Sequence, residues 1–219
     1  MFKKPKRRVV RKLMSKSVNV FNGRKSLDKI THLESPLEAD FCYHLEFDQN
    51  IKSYQAQPLS FLYHFEGAAH RYTPDFEVVY QDGSISYFEI KFDADILRMN
   101  DFSQWEEAIR KAALKNGKGF IVLTESFIRK KPLYENLLNT WSATNIDIDK
   151  DFLIHLIQQL DDRKQAPIRE LILDTSSDYQ FEQIYRLIFE KRLVTSLQNE
   201  LLSKSSMVEH SGKPYDTYL

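Results

Sequence analysis

Three charged residues on two neighbouring segments are the part of this chain best suited to chemistry. Asp75 directly follows Pro74, and Glu89 precedes Lys91 by two positions in an otherwise apolar segment. Residues two apart in a β-strand project to the same face, so Glu89 and Lys91 share one face. Placing such charges on a half-buried strand costs desolvation free energy, which indicates that they have a function. The pattern predicts a metal-dependent nuclease site.

The residue types suit magnesium-assisted hydrolysis of a phosphodiester. Mg²⁺ prefers oxygen ligands, commonly one or two carboxylates together with water and substrate phosphate. Such an ion can activate a water molecule and neutralise charge on the leaving oxygen. A neighbouring lysine such as Lys91 can position the water or stabilise the developing charge. The simpler interpretation is an exposed ion pair between Glu89 and Lys91, with Asp75 in a turn.

The turn between the two segments decides whether the carboxylates meet. A two-residue Asp-Gly loop would turn Asp75 away from Glu89. A three-residue loop over 81–83, with its glycine in the left-handed conformation, would place Asp75 directly opposite Glu89. A bulge near Pro74 would also correct the register. The nuclease hypothesis therefore requires the three-residue loop or a bulge.

Glu38 is the third candidate metal ligand, and it lies in a helix predicted over 35–47. Ser35 suits the N-cap of this helix and Pro36 its first position. The pair Ser35 and Glu38 fits a capping box, in which the glutamate bonds back to the N-cap amide. Apolar residues follow Glu38 at three, four and seven positions, which places it on the buried stripe. Capping and metal binding are both open for Glu38, and Glu34 ranks second as a ligand.

Five other residues are weighed between a functional and a structural role. Gln57 precedes a proline and is expected to close a turn rather than to touch a phosphate. Arg71 and His70 come shortly before Asp75, so contact with DNA and simple surface placement are both open. Trp105 and Trp141 are expected to be packing anchors.

The pattern over 28–146 predicts an α/β fold with a mixed sheet flanked by helices. After the first helix, four extended segments precede a helix over 101–116. A short apolar run over 119–124 is expected to be a central strand that is buried on both faces. The extended segments cover 51–57, 59–65, 71–80 and 85–92.

The part of the chain over 147–219 is predicted to be a small, mainly helical domain. Three short helices and a possible wing resemble a winged helix-turn-helix. The third of these helices is not basic, whereas a helix that reads DNA normally is. A protein-docking role is therefore favoured for this domain. The predicted elements are helices over 152–160, 168–173 and 181–189, a strand over 193–195 and a helical piece over 197–203.

The first 27 residues form a basic arm on an acidic body. They contain ten lysines and arginines and no acid, whereas the remaining chain has 21 basic and 31 acidic residues. Such an arm suits DNA phosphates because its contacts release counterions. A disordered, solubilising terminus is the alternative. The candidate DNA-binding residues of the arm are Lys3, Lys4, Lys6, Arg7, Arg8, Arg11 and Lys12.

Composition excludes several other classes of protein. The single cysteine, Cys42, rules out an internal disulfide and a cysteine-rich zinc site. The six histidines show no zinc-binding spacing. No apolar run is long enough to span a bilayer, and no signal peptide follows the basic start. A soluble, cytoplasmic protein without a membrane partner is expected.

Five segments, taken in order and spacing, resemble the TnsA family, the endonuclease subunit of heteromeric cut-and-paste transposases. The resemblance spans about residues 28–125, whereas the proline-aspartate and Glu-x-Lys elements alone would indicate only the wider PD-(D/E)xK nuclease superfamily. The segments are 34–41, 44–48, 57–58, 72–76 and 88–91.

The resemblance implies a restriction-endonuclease-like core in which Glu38, Asp75 and Glu89 bind Mg²⁺, with Mn²⁺ as a substitute, and Lys91 assists the attacking water. It implies cleavage of the 5′ strand at transposon ends, while a TnsB-type transposase cuts and joins the 3′ ends. It also implies that the winged-helix-like domain contacts a TnsC-type AAA+ regulator. Two alternatives stay open: a stand-alone restriction or repair nuclease, and a non-catalytic DNA-binding assembly protein on a nuclease scaffold.

Overall fold

The computed structural model describes residues 19–174 and 178–213. The seven basic candidates between Lys3 and Lys12 lie outside these described residues. The chain divides into two compact units between Arg129 and Lys130, earlier than the boundary predicted between 146 and 147. In the described part of the chain, no helix is both long enough and apolar enough to cross a membrane.

The first unit has eight strands and four helices in its described part. The strands are β1 (Asn19–Phe21), β2 (Thr31–Leu33), β3 (Ile51–Ala56), β4 (Phe61–Phe65), β5 (Ala68–Tyr72), β6 (Phe76–Tyr80), β7 (Ile85–Lys91) and β8 (Gly119–Thr124). The helices are α1 (Pro36–Phe47), α2 (Asp93–Arg98), α3 (Phe102–Lys115) and α4 (Glu125–Ile128).

A four-stranded mixed sheet lies at the centre of this unit. Its order is β3-β6-β7-β8, with β3, β6 and β7 antiparallel and β8 parallel to β7. The mixed α/β architecture confirms the predicted fold class. The predicted central position of β8 is wrong, because β8 lies at the end of this sheet. Helix α3 covers one face of this strand, where the Phe120 ring lies 6.3 Å from the ring of Trp105. On the other face, Ile121 is 36% exposed.

Helix α1 begins where the sequence indicates. The Ser35 hydroxyl accepts a hydrogen bond from the Glu38 amide at 3.1 Å, and Pro36 occupies the first turn. Proline suits that position because the amide it lacks would have had no partner within the helix. Phe41 packs its ring against Phe76 of β6 and Phe88 of β7, with centroids 5.4 Å and 5.3 Å apart. This contact seats the N-terminal turn of α1 on the sheet.

Strands β4 and β5 form a separate two-stranded hairpin, paired from Phe61 with Tyr72 to Phe65 with Ala68. The sequence predicted one extended segment over 71–80, but residues 73–75 interrupt it between β5 and β6. Aromatic side chains of the hairpin pack against a buried cluster that includes Ile109 and Phe120. The hairpin is thereby joined to α3 and to β8.

The second unit contains helices α5 (Leu133–Ser142), α6 (Lys150–Arg163), α7 (Ile168–Leu171) and α8 (Tyr179–Phe189), with a 3-10 helix at Ala143–Asn145. Strands β9 (Gln165–Pro167), β10 (Leu193–Val194) and β11 (Met207–His210) form a sheet in the order β10-β11-β9. From α6 onward, the succession helix, strand, helix, helix, strand, strand is a winged-helix arrangement. Residues 197–203 are a loop rather than the predicted helical piece.

Candidate active site

The hairpin of β6 and β7 has the register that the sequence hypothesis requires. The Tyr80 amide donates to the Ser84 carbonyl at 2.9 Å, and Phe76 pairs with Phe88 further along. Gly83 has a φ of +83°, a conformation that residues with a Cβ rarely adopt. The loop is therefore the predicted three-residue loop. Continued by one pair beyond β6, the same register places Asp75 opposite Glu89 on one face.

Asp75 is held at the point where β6 ends. Its Oδ2 accepts a hydrogen bond from the Ile90 amide at 2.8 Å, so that the side chain extends the β6–β7 ladder where Pro74 interrupts the chain. The Gln57 amide donates to the Asp75 carbonyl at 2.8 Å, and Gln57 Nε2 lies 3.5 Å from Asp75 Oδ1. Burial raises the pKa of Asp75 well above its ordinary value, and the negative charges of Glu89 and Glu38 raise it further.

Glu89 is 5% exposed, and both of its carboxylate oxygens accept hydrogen bonds. Lys91 Nζ lies 2.5 Å from Oε1, and the Tyr72 hydroxyl donates to Oε2. Burial alone would lower the pKa of Lys91, but the charge and hydrogen bond of Glu89 more than offset this, so the pKa is raised. The raised pKa favours the positively charged form of Lys91 beside Glu89.

Glu38 makes a capping contact and also lines the cavity, so its position is compatible with both roles that the sequence left open. Its Oε2 accepts a hydrogen bond from the Glu34 amide at 3.0 Å, a capping contact one residue before the N-cap. The side chain is 5% exposed, and what remains open faces the cavity that Asp75 and Glu89 also line. Burial raises the pKa of Glu38, hydrogen bonds from Glu34 and Ser35 oppose this, and the charges of Glu34 and Glu89 add to it.

One cavity of about 610 Å³ brings these side chains together. Arg71, the described DNA-binding candidate, lies at its edge and is exposed. His70 is not among the lining residues; its ring lies 5.4 Å from that of Tyr63 on the hairpin. The residues that line the cavity are Glu34, Ser35, Glu38, Arg71, Tyr72, Thr73, Asp75, Glu89, Ile90, Lys91, Phe92 and Asp95.

Comparison with known proteins identifies the domain that carries this cavity. Residues 48–125 match the family model described as TnsA-like endonuclease N terminal. The chain has a TnsA-like endonuclease domain. The match includes Asp75, Glu89 and Lys91, whereas Glu38 of α1 precedes it. A search of curated proteins found no match to the chain.

The donor atoms at this TnsA-like site suit a hard divalent cation. Glu38, Asp75 and Glu89 offer only carboxylate oxygens, the ligand type that Mg²⁺ prefers. Among residues 19–174 and 178–213, no group of three or more aspartate, glutamate, histidine or cysteine side chains is placed closely enough to hold a metal ion without rearrangement. An open arrangement is compatible with Mg²⁺, because the ion keeps several waters and uses substrate phosphate as a ligand.

Three residues of the TnsA-like site were missed from the sequence or given another role. Tyr72 bonds Glu89, Gln57 holds Asp75, and Asp95 of α2 lines the cavity. Gln57 lies in a bend directly after β3, and its φ of +47° is a strained conformation for a residue with a side chain. Only the position of Gln57 before Pro58 was a usable signal. The contact of Tyr72 depends on how the β4–β5 hairpin folds back.

The third helix of the winged-helix unit, α8, is largely covered by other parts of that unit. The Trp141 ring of α5 meets Phe189 at 5.5 Å, and the Arg186 guanidinium donates to the Ile146 carbonyl. Arg186 also pairs with Glu190 at 2.9 Å, which reduces the positive charge on this helix. Both tryptophans, Trp105 and Trp141, are packing residues, as the sequence predicts.

Proposed function

We propose that this chain is the Mg²⁺-dependent DNA endonuclease subunit of a TnsA-type transposase, hydrolysing the 5′ strand at each transposon end. The observation that carries the proposal is the register of β6 and β7, which brings Asp75 and Glu89 to one face of a TnsA-like domain. A shift of the strand register by one residue would place the two acids on opposite faces of the sheet. In the observed register they share one face, and Glu38 lines the same cavity.

In this proposal, Glu38, Asp75 and Glu89 are the ligands of the metal, and Mn²⁺ substitutes for Mg²⁺. The ion, when bound, supplies an activated water and neutralises charge on the leaving oxygen. The raised pKa values of Glu38 and Asp75 have burial as their main cause, with the mutual repulsion of carboxylates adding to it. A divalent cation removes that repulsion, so the same arrangement that is costly without metal favours binding it.

Lys91 is assigned the role of a fixed cation beside the scissile phosphate. Its ammonium group bonds Glu89 on one side and lines the cavity on the other. Because its pKa is raised, Lys91 stays charged at neutral pH and can orient the attacking water or stabilise the developing negative charge. It does not act as the base that deprotonates water.

Arg71 is the proposed phosphate contact within the described part of the site. It is exposed at the cavity edge on β5, one residue before Tyr72. Its guanidinium group can bind a DNA phosphate in a bidentate manner without affecting base specificity. The arm residues Lys3, Lys4, Lys6, Arg7, Arg8, Arg11 and Lys12 are proposed to add further phosphate contacts.

The partners proposed are a TnsB-type transposase that cuts and joins the 3′ ends and a TnsC-type AAA+ regulator. The second unit is proposed to serve docking of the regulator rather than sequence reading. Two contacts of α8 support this assignment: Arg186 donates to the Ile146 carbonyl, and it also pairs with Glu190. A helix that reads DNA instead presents an open, basic face.

The test is a cleavage assay on DNA that carries a transposon end, with Mg²⁺, in the presence and absence of the partner transposase. Asp75→Asn is the active-site variant, because asparagine keeps an acceptor for the Ile90 amide while it removes the charge. Asp82→Asn, in the turn of the same hairpin, is the matched control. Asp82 bonds only its neighbour Ser84 and does not line the cavity.

The three hypotheses give different results in this assay. Breaks in the 5′ strand that need the partner, vanish in Asp75→Asn and persist in Asp82→Asn support the proposal. Cleavage without the partner would indicate a stand-alone nuclease. Breaks that persist in Asp75→Asn would indicate a non-catalytic assembly protein.

A further inference from the structure

Tyr72 touches the candidate metal ligand Glu89 from outside the four-stranded sheet. It is the last residue of β5, and its hydroxyl donates a hydrogen bond to Glu89 Oε2. The direction of this hydrogen bond follows from the groups themselves, because an ionised carboxylate can only accept and the phenol supplies the hydrogen.

The ring of Tyr72 is held by aromatic neighbours from three different elements. Its centroid lies 5.5 Å from Phe61 of β4, 5.8 Å from Trp105 of α3 and 6.0 Å from Phe120 of β8, each in an edge-to-face arrangement. Such pairs are favourable beyond the area they bury. The hydroxyl is thus presented to Glu89 by a packed cluster and not by a mobile side chain.

The two oxygens of Glu89 are fixed by donors of different origin. Lys91 on the same strand binds Oε1, and Tyr72 from the neighbouring hairpin binds Oε2. A carboxylate has about four lone-pair positions, so each oxygen keeps one for a further partner. Together the two donors fix the plane of a carboxylate that lines the cavity.

We propose that Tyr72 is a positioning residue that orients Glu89 for metal binding, an inference that rests on the proposed function. Tyr72 acts through Glu89 and does not itself bind the metal or the DNA. Hydrogen-bond partners of metal ligands typically contribute about 10–100-fold to metal affinity or activity. Tyr72→Phe keeps the ring and its packing and removes only the hydroxyl, so a loss of metal affinity would report orientation rather than folding.

The experiment measures Mg²⁺ and Mn²⁺ binding to the full chain by isothermal titration calorimetry, without DNA. Tyr87→Phe is the matched control, since Tyr87 also lies on the Glu89 face of β7, is 5% exposed and bonds Lys118 instead. We expect the dissociation constant to rise about 10–100-fold in Tyr72→Phe and to stay unchanged in Tyr87→Phe. The metal concentration for half-maximal cleavage should rise in parallel, and circular dichroism should show the same fold.

The outcomes separate this inference from the proposed function. A wild-type protein that binds either ion, together with a Tyr72→Phe variant of equal affinity, overturns the positioning role and leaves the proposed function intact. An equal loss in both variants also overturns it, because the effect would not be specific to the Glu89 contact. A wild-type protein that binds neither ion overturns the proposed function and this inference with it.

Discussion

Neutralising Asp75 should stabilise the metal-free protein while it abolishes cleavage. The folded chain holds this carboxyl in a buried position facing Glu38 and Glu89, which raises its pKa. A carboxyl whose pKa is raised by folding contributes stability at low pH that is lost as the pH rises through the folded-state pKa. Above the unfolded-state pKa, an aspartic acid at this position therefore costs stability, and Asp75→Asn removes that cost while an acceptor for the Ile90 amide remains.

The expected size of the effect is that of a single stabilising substitution, a gain of about 0.5–2 kcal/mol in the free energy of unfolding. For a chain of this length each kcal/mol shifts the melting midpoint by about 2–4 °C, so the midpoint should rise by about 1–8 °C. The assay is thermal unfolding followed by circular dichroism in EDTA, with Asp82→Asn as the control that removes an exposed charge from the same hairpin.

Two conditions sharpen this test. As the pH falls from neutral toward the unfolded-state pKa of Asp, about 3.9, the wild type becomes neutral at this site and the difference between wild type and variant should shrink. A ligand that binds the folded state stabilises it in proportion to its affinity. Saturating Mg²⁺ should therefore stabilise the wild type more than Asp75→Asn, which lacks one of the proposed carboxylate ligands. A variant that is less stable than the wild type in EDTA, or a difference that does not change with pH, would refute the reasoning.

Three further substitutions test other contacts. Lys91→Met should weaken metal binding, because the ammonium group also fixes Glu89 Oε1, and should in addition lower the rate at saturating metal about 10²–10³-fold, the size found when one stabilising donor is removed; a rate at saturating metal near that of wild type would contradict its role. Gln57→Ala should weaken metal binding about 10–100-fold, because it removes the contact between Gln57 Nε2 and Asp75 Oδ1 while the backbone bond to Asp75 remains, whereas Gln104→Ala, at an exposed position, should not. Asn136→Ala should lower the free energy of unfolding by about 1–3 kcal/mol in urea titrations, because its buried amide bonds residues 197, 200 and 202, and should leave metal affinity unchanged.

The local part of the site could be predicted because its rules are short-range. An Asp-Gly turn, a Glu-x-Lys strand and the spacing between them limited the register to a few alternatives and showed which of them would join Asp75 to Glu89, since a one-residue slip exchanges the two faces. The start of α1 followed equally from Ser35 and Pro36, whose chemistry acts within a single turn. These elements also placed Glu38 on a buried stripe, and the structure brings it to the cavity.

The parts that the sequence did not predict depend on packing between distant segments. Tyr72 reaches Glu89 only because the β4–β5 hairpin lies against α3, a contact with no short-range signal. An apolar run such as 119–124 suits both a central strand and an end strand covered by helices, so periodicity cannot distinguish the two for β8. The boundary between the two units was likewise predicted too late, because α5 and the 3-10 helix belong to the second unit and precede residue 147.

The most direct test of the account is to locate the metal. Crystals of the protein grown with Mn²⁺ should show an anomalous scattering peak in the cavity between α1 and the β6–β7 hairpin. We expect the ion at about 2.0–2.2 Å from carboxylate oxygens of Asp75 and Glu89, close to the ligand distance typical of Mg²⁺, with Glu38 directly bound or bridged by water. A fully occupied peak elsewhere in the chain, or none in this cavity at saturating Mn²⁺, would contradict the assignment of the active site.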